Sequence, residues 1–394
     1  MKNECVAILD IRSSEIFFLL GAKGVNGTFV FSGMQGEKYD GYRSEGFFDE
    51  NSVRCAAVRA ISSVQQTYEG KIGKIYVGVP SSFISVITKG HAVSYHSKRK
   101  ISKADVDALF ESGLNELLGN GRCIRRSAMY FTLGDNRKYF SEEKLGGVPT
   151  TMLKGALSYY FVSESFYALI TGILGEMGFA DIQFIPSTLA QASYLLPEKK
   201  REGYAFLLDV GFVTSSISVI YGNGIVREEN CDCGVASVLV ALMDELNIDF
   251  AEAEELLSLV NISGGSEPMD MEYRIKGWEK VFSAKTVNDI IKCELDRLCV
   301  QVEEFLRKDF REKMPMLASA NPISITGEGV TYIKGATEYI AKTVNWMTEV
   351  VAPDLPYYDK PVWSSRITLL SAALSDAGKR SWLRKIFNFG GKKK

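Results

Sequence analysis

The first 80 residues alternate buried strands with one amphipathic helix. Continuous apolar positions over 5–10 predict a buried strand, a second strand is predicted over 15–20, and a third lies near 29–32. After Asn51 and Ser52 apolar residues recur at helical spacing, which predicts a helix that begins there. Its predicted core face consists of Val53, Ala56, Ala57, Ala60, Ile61 and Val64.

The pattern changes between residues 83 and 162, where we predict short strands and one helix. Ser102 and Asp105 have the spacing of a capping box at the start of that helix. Strands are predicted over 128–133 and 156–162. The segment 83–162 is therefore interpreted as a small α/β domain inserted into the first pattern.

From residue 181 the chain returns to the first pattern. Residues 234–314 are predicted to be mostly helical, with a break over 263–268, and a last helix of the body is predicted over 364–374. The predicted strands of this part cover 204–210, 215–221, 225–229 and 322–326.

An internal repeat relates the two parts. Asp10 follows a buried strand, stands in a polar turn and is followed by a second strand, and Asp209 has the same setting about two hundred residues later. Two related halves at this separation predict a duplicated α/β fold.

Composition excludes several classes of protein. The 394 residues are 46% hydrophobic and 24% charged, with ten prolines, which is typical of a soluble globular protein of two or three domains. A formal charge of −2 argues against a nucleic-acid binder. Residues 379–394 carry seven positive charges and no acid, so the rest of the chain carries −9. The C-terminus is therefore predicted to be a special basic surface.

The cysteine and histidine counts narrow the chemistry. Seven cysteines without framework spacing predict reduced thiols in a cytosolic protein. Two histidines, His91 and His96, argue against a histidine-based triad and against a zinc site, so no metal site is predicted. No apolar run approaches the ~20 residues of a spanning helix, so any membrane contact is expected to be peripheral.

The two aspartate hairpins, together with other segments, resemble the actin-like ATPase superfamily. Within it the similarity is to the FtsA family of bacterial cell division, and it covers nearly the whole chain. Residues 186–194 resemble the helix between the halves, 363–370 the closing helix and 381–387 the membrane-targeting end. The inserted domain 83–162 lies where that family has its characteristic subdomain.

The resemblance implies the fold class: α/β, actin-like (a duplicated ribonuclease-H-like fold), with an FtsA-type inserted subdomain and a C-terminal amphipathic helix. It also implies five parts. These are a first half (1–82 and 352–378), the insertion (83–162), a second half (163–233 and 315–351), its helical subdomain (234–314) and a basic membrane-targeting tail (379–394).

The family's function would be carried by the two hairpins. If nucleotide binding is retained, Asp10 and Asp209 orient magnesium and its waters, while serine and threonine hydroxyls donate to phosphate. The same residue types also favour turns without any ligand. The nucleotide and magnesium residues that the resemblance assigns are Asp10, Ser13, Ser14, Asp209, Gly211, Thr214, Gly327 and Gly329.

This chain departs from the family where the nucleotide would bind. Arg12 replaces a glycine, and it either pairs with phosphate or fills the phosphate's space. Phe212 and Val213 replace two further glycines, Glu328 places a carboxylate beside the nucleotide, and Leu257 stands where a basic residue is expected. We therefore expect lost or weak ATP binding, no cofactor and a pseudo-ATPase, with no confident catalytic residue.

Three other charged regions have simpler interpretations. The basic runs 98–100 and 122–126 are predicted to be solvated surface. A helix over 286–312 is first a core element. Glu294 and Arg297 on its solvent side lie roughly where the FtsA family receives the FtsZ tail, with the charges apparently exchanged.

The tail forms an amphipathic helix in projection. At about 100° per residue its apolar side chains fall within an arc of about 160°, opposite most of the polar residues. The residues predicted to bind membrane are Trp382, Leu383, Ile386, Phe387 and Phe389, with Arg380, Arg384 and Lys385.

The first hypothesis is accordingly a divergent FtsA-like scaffold on the cytoplasmic face of the inner membrane, with the division septum as a candidate location. Its expected partners are anionic lipid, FtsZ or another division or envelope protein, and further copies of itself in filaments, but not nucleic acid. Two alternatives stay open. One is an active ATPase or small-molecule kinase of the actin fold, and the other is a type IV pilus assembly adaptor.

Overall fold

A computed structural model describes most of the chain, and from residue 379 onward it describes the backbone alone. The described ranges are 5–117, 119–145, 148–263, 271–275, 280–308 and 321–389.

The first sheet and its helix form as the apolar pattern predicts. All six residues of the predicted core face of the helix are buried. The helix begins at Glu50 rather than after Ser52, because the Asp49 carboxylate caps it by accepting hydrogen bonds from the amides of Asn51 and Ser52. The elements are β1 (Val6–Ile11), β2 (Glu15–Lys23), β3 (Phe29–Lys38), β4 (Tyr42–Arg43), β5 (Gly46–Phe47), α1 (Glu50–Thr67) and β6 (Lys74–Val79).

The segment after Phe83 forms a separate four-stranded sheet covered by one helix. Ser102 and Asp105 form the predicted capping box. The strands are longer than expected, because alternating exposed and half-buried positions such as those over 84–96 continue one strand rather than ending it. The elements are β7 (Ile84–Lys100), α2 (Lys103–Asn115), β8 (Arg122–Thr132), β9 (Lys138–Tyr139) and β10 (Pro149–Val162).

The remaining elements complete a second sheet, a helical layer and the C-terminal helix. They are α3 (Glu164–Glu176), β11 (Asp181–Pro186), α4 (Ser187–Leu195), α5 (Glu198–Arg201), β12 (Tyr204–Val210), β13 (Ser215–Tyr221), β14 (Gly224–Cys231), α6 (Val235–Leu246), α7 (Phe250–Leu259), β15 (Glu272–Ile275), β16 (Lys280–Ser283), α8 (Ala284–Leu306), β17 (Ile323–Thr326), α9 (Gly329–Tyr332), α10 (Ala336–Val344), β18 (Thr348–Val350) and α11 (Ser364–Phe389).

The two five-stranded sheets have the same topology. The first has the order β11-β6-β1-β2-β3 and the second the order β14-β13-β12-β17-β18. In each sheet the aspartate-bearing strand pairs antiparallel with the strand after it and parallel with a later one. The internal repeat thus corresponds to two copies of one sheet, and it places Asp10 and Asp209 at equivalent strand ends.

The region 234–314, which was predicted to be mostly helical, also contains two strands. Strands β15 and β16 form a hairpin that the helical prediction for 234–314 missed. Residues 264–270 and 309–320, which include most of the predicted break and the end of the predicted helix 286–312, lie outside the described residues.

Helix α11 corrects the prediction that the last body helix ends at Leu374. The helix continues through Phe389, because no proline interrupts it after Leu374 and Gly378 is accommodated within it. Its first turns are buried against β1 and α4, with Leu369, Leu370 and Ala373 in the core. The backbone of most of the predicted tail is therefore a direct extension of a core helix, while the side chains from 379 onward and residues 390–394 lie outside the description.

The basic run 122–126 is also corrected. It belongs to β8 and is not merely solvated: both guanidinium nitrogens of Arg125 bind the Asp376 carboxylate on α11, the longer of the two contacts being 3.0 Å. Arg126 pairs with Glu111 on α2. In the other run, Arg99 pairs with Asp105. The ion pair between Arg125 and Asp376 joins the inserted sheet to the C-terminal helix.

Candidate functional site

A buried ion pair connects the two aspartate hairpins. Arg12 follows β1, and its guanidinium nitrogens Nη1 and Nη2 donate to Oδ2 and Oδ1 of Asp209 at 2.8 and 3.0 Å. The side chains are only 16% and 7% exposed. The Arg12 side chain thus lies in the space between the two hairpins, paired with a carboxylate of the protein itself.

The charge of Arg12 determines the protonation state of Asp209. Burial alone would raise the pKa of this carboxyl, but the adjacent guanidinium and a hydrogen bond from the Gln191 amide, at 2.9 Å, hold the pKa below its ordinary value. Burial alone would lower the pKa of Arg12, but the negative charge of Asp209 and its hydrogen bonds raise the pKa above its ordinary value. Both oxygens of Asp209 are occupied by protein donors, which leaves this carboxylate unsuited to orienting magnesium and its waters.

Asp10 lies at the equivalent strand end in a different environment. Its Oδ1 accepts a hydrogen bond from the Ser365 hydroxyl at 2.7 Å, and Oδ2 has no partner among the described residues. Burial raises the pKa of Asp10, although Arg12 and Arg366 partly oppose this. A raised pKa makes a carboxyl a weaker ligand for a divalent cation, because the cation binds the charged form.

The turn residues assigned to phosphate are used within the protein. The amide of Val213 donates to the Ser13 hydroxyl at 3.0 Å, which links the turns of the two halves. The Thr214 hydroxyl lies 3.5 Å from the Tyr42 hydroxyl. Ser14 is half-buried, and its carbonyl accepts from the amide of Tyr39.

The glycines are required by close packing of the protein itself. Gly327 has φ +99°, and a Cβ there would lie 2.2 Å from Asp209 Oδ1. A Cβ on Gly211 would lie 2.3 Å from the Thr214 carbonyl oxygen, and one on Gly329 would lie 2.4 Å from Val210 Cγ1. These three positions therefore exclude larger residues without any ligand.

The space left in the cleft is small. One cavity of about 30 Å³ is lined by Arg12, Asp209 and hydroxyl groups including that of Ser187. A second, of about 10 Å³, is lined by Asp10, Glu328 and others. Pockets for small-molecule ligands usually measure about 300–1,000 Å³. Both spaces suit individual water molecules rather than a nucleoside triphosphate.

The polar lining of these cavities fits water. Asp10 Oδ2, Gln191 Oε1 and Glu328 Oε1 have no protein partner among the described residues, and all three residues line the smaller cavity. Ser187 Oγ, in the lining of the larger cavity, also has no protein partner among the described residues. Buried polar atoms of this kind are usually satisfied by ordered water.

The other departures from the family pattern are absorbed into packing. Burial raises the pKa of Glu328, so its carboxyl tends toward the neutral form beside Arg12. Leu257 is buried in the core of the helical region. The Phe212 ring packs edge-on against Tyr332 with 6.2 Å between ring centroids. None of these side chains opens a phosphate cradle.

Glu228 on β14 is a site residue that sequence reasoning missed. Burial raises its pKa from the ordinary value of 4.5 to about 7, even though Thr188 and Ser218 hydrogen-bond to it, and Asp209 adds to the rise. The Ser218 hydroxyl donates to Glu228 Oε1 at 3.2 Å. The only sequence signal was its position in a strand that pairs with β13, and nothing local indicates burial.

Other predicted sites have simpler outcomes. Glu294 and Arg297 form an exposed ion pair on α8 at 2.7 Å. The membrane-binding side chains of the tail lie outside the described residues. Within the described ranges, no group of three or more His, Cys, Asp or Glu side chains is placed to hold a metal ion. No helix in the described part is long and apolar enough to cross a bilayer.

The fold matches those of known actin-like proteins, although no family model and no curated protein matches the sequence. A solved PilM-PilN type IV pilus biogenesis complex aligns with a TM-score of 0.60 and 11% identity over 94% of this chain and 98% of that chain. MreB 5 of Spiroplasma citri bound to AMPPNP aligns with a TM-score of 0.54 and 9% identity, over 98% of this chain and 99% of that chain. The ethanolamine utilization protein EutJ of Carboxydothermus hydrogenoformans aligns with a TM-score of 0.52 and 11% identity, over 94% of this chain and 90% of that chain.

These likenesses establish the fold and nothing finer. The chain has the actin-like ATPase fold, as the sequence predicted. At 9–11% identity they do not show which actin-like group it resembles in function.

We predict that the Arg12–Asp209 pair contributes substantially to stability. Arg12→Met keeps the length of the side chain and leaves the Asp209 charge buried without its partner. The free energy of unfolding, measured by urea denaturation at pH 7, should fall by about 3–5 kcal/mol. Arg43→Met is the matched control, because Arg43 pairs with Glu45 in an exposed position. This change should lower the free energy of unfolding by about 1 kcal/mol or less. Equal effects of the two changes would contradict the prediction.

Glu228 should make stability depend on pH in a defined direction. Because its pKa rises from 4.5 in the unfolded chain to about 7 in the folded protein, the folded state binds the proton more tightly. The free energy of unfolding should therefore fall as pH rises from about 4.5 to about 7 and change little above that. Glu228→Gln should flatten this slope, leaving the part due to Asp10 and Glu328, whose pKa values are also raised. An unchanged slope would show that Glu228 is not responsible.

Proposed function

We propose that this protein is a membrane-attached adaptor of the actin-like fold that holds other proteins at the inner membrane without ATP turnover. The observation that carries the proposal is the Arg12–Asp209 pair. A cation of the protein itself lies between the two hairpins, where the fold would otherwise close on a nucleotide's phosphates. The halves are thus joined in the absence of nucleotide.

The geometry argues against an active ATPase or kinase. A phosphoryl-transfer site depends on a preorganised phosphate cradle and a metal held by free carboxylates. Here Asp209 is engaged by Arg12 and Gln191, burial raises the pKa of Asp10, and the cavities measure about 30 and 10 Å³. The enzyme alternative would require Arg12 to leave its pair and the cleft to widen.

Membrane attachment is proposed from the tail. Residues 381–389 form the last part of α11 and span about 13 Å, far short of a ~30 Å hydrocarbon core, so this part of the helix would lie in the interface. Each large apolar side chain inserted contributes roughly 1.5–3 kcal/mol, and each basic residue near anionic lipid about 1 kcal/mol. Even after the cost of ordering, this sum supports reversible, salt-sensitive binding on the cytoplasmic face.

The partner is proposed at the level of class. The FtsA-like scaffold hypothesis gives FtsZ or another division or envelope protein as the partner, with a septal location and filament formation on the membrane as further proposals. A second candidate is an adaptor of pilus assembly, which the fold likeness to the PilM-PilN complex favours. Localisation of a fluorescent fusion separates them: a mid-cell band favours the division scaffold, and polar or envelope foci favour the assembly adaptor.

We expect no tight nucleotide binding by the full chain. Calorimetry with Mg·ATP should give no micromolar affinity, and ATP should not raise the melting temperature, because a ligand stabilises only the state it binds. Arg12→Gly is the informative companion variant, since it opens the space between the hairpins. Micromolar binding or several degrees of stabilisation in the wild type would overturn the proposed absence of nucleotide function.

We expect the tail to be required for membrane binding. Removing residues 379–394, or changing Trp382→Glu and Phe387→Glu together, should release the protein from anionic liposomes in a sedimentation assay and from the membrane in cells. The corresponding changes to leucine keep the residues apolar and should preserve binding. Equal sedimentation of truncated and full chains would show that the tail is not the anchor.

A further inference from the structure

A groove of about 470 Å³ lies beside helix α11, away from the cleft. Its apolar lining comes from Phe29 at the start of β3, Tyr194 on α4, Leu355 in the loop before α11, and Leu374 on α11 itself. Lys23 and Asp354 contribute one charge of each sign. The volume is of the size that binds a chain-like apolar group, which neither cavity in the cleft reaches.

Two exposed apolar residues adjoin the lining of this groove. Val25 lies in the turn between β2 and β3 and is 99% exposed. Lys23 and Asn26, which are close to Val25 in the chain, line the groove. Tyr357 is 93% exposed and follows the lining residue Pro356. Tyr357 also has φ +69°, a left-handed backbone that an aromatic residue adopts at a cost. Water is a poor environment for both side chains, which therefore indicate a contact surface.

The helix relates the groove to the tail. At about 100° per residue, with Trp382 set to 0°, Ser371 falls at about 340° and Ser375 at about 20°. These two groove-lining residues thus share the side of the α11 backbone that carries Trp382 at 0° and Ile386 at about 40°. Leu374, the third lining residue on α11, falls at about 280°, so the groove lies at the edge of that side. Trp382 follows Ser375 by seven residues, or about 10 Å along the axis.

We propose that the groove, Val25 and Tyr357 form a second membrane contact, in which Val25 enters the bilayer interface and the groove accepts a lipid acyl chain. This inference rests on the proposed function, because it takes the tail as the first contact. A tail lying on the membrane brings the same side of α11, and the groove it lines, toward the lipid. Tyrosine is also a residue enriched at membrane interfaces.

The balanced charges of the groove give this contact a different salt dependence from the tail. Lys23 and Asp354 leave no net attraction for anionic lipid, so insertion of apolar groups has to drive the contact. Added salt should weaken the basic tail but not this second contact.

The test places a fluorescent reporter at residue 25. Val25→Trp is made in full-length protein carrying Trp382→Phe, and vesicles are prepared with and without brominated acyl chains. Three native tryptophans remain in this background, so the signal is the emission gained over the parent Trp382→Phe protein, and we expect bromine to quench it. Val240→Trp in the same background is the matched control, because Val240 is 53% exposed on α6, outside the groove and its flanks, and should not be quenched.

A tagged chain separates failure of this inference from failure of the tail anchor. Full-length protein with a C-terminal hexahistidine tag is held on vesicles that contain a nickel-chelating lipid, whether or not the tail binds. Quenching at residue 25 on these vesicles supports the inference even if the untagged chain does not bind. Bound protein without quenching at residue 25 overturns it, and so does quenching equal to that of the control.

A second measurement removes the contact instead of reporting on it. Val25→Ser with Tyr357→Asn should weaken vesicle partitioning of the full chain roughly tenfold, since two apolar side chains no longer insert. Asparagine tolerates the left-handed backbone at 357, so the variant should fold as well as the wild type. Unchanged partitioning, or a groove occupied by a peptide partner while residue 25 stays unquenched, would contradict the proposal.

Discussion

The architecture depends on one buried ion pair between residues 197 positions apart in the chain, Arg12 and Asp209. Two copies of one sheet face each other across a cleft, and each presents an aspartate at the same strand end. Two facing carboxylates would repel each other in a buried space unless a cation lies between them. In this protein the cation is covalently part of the first hairpin, so closure of the cleft does not have to wait for a ligand.

The occupied cleft changes the chemistry around it. Loss of contact with water raises the pKa values of three further carboxyls, those of the buried Asp10 and the half-buried Glu228 and Glu328, and the charge of Asp209 adds to the rise for Glu228 and Glu328. The glycines that a phosphate would need are kept only where the backbone of the protein itself approaches closely. The duplicated fold is thus preserved while Arg12, Asp209 and these glycines contact other groups of the protein in the cleft.

Helix α11 connects this cleft to the C-terminal end of the chain. At its start Ser365 donates to Asp10 and Arg366 pairs with Glu15, and three turns later Asp376 binds Arg125 of the inserted sheet. The helix therefore contacts the first hairpin and the insertion before it continues into the basic tail. A rigid connection of this kind would hold the body in one orientation on a membrane, which suits an adaptor better than a flexible tether does.

The sequence alone determined the features that depend on local periodicity. The buried strands, the six core residues of α1 and the capping box at Ser102 follow from spacings of a few residues. The repeat of Asp10 and Asp209 follows from the likeness of two short segments, and with the family resemblance it indicated the fold. The sequence also showed that Arg12 stands where a glycine is expected. Only the tertiary structure decided that Arg12 meets Asp209, that Glu228 has a raised pKa, that Arg125 reaches Asp376, and that a groove lies beside α11. These contacts join residues far apart in the chain, and neither periodicity nor propensity carries information about which distant side chain lies opposite.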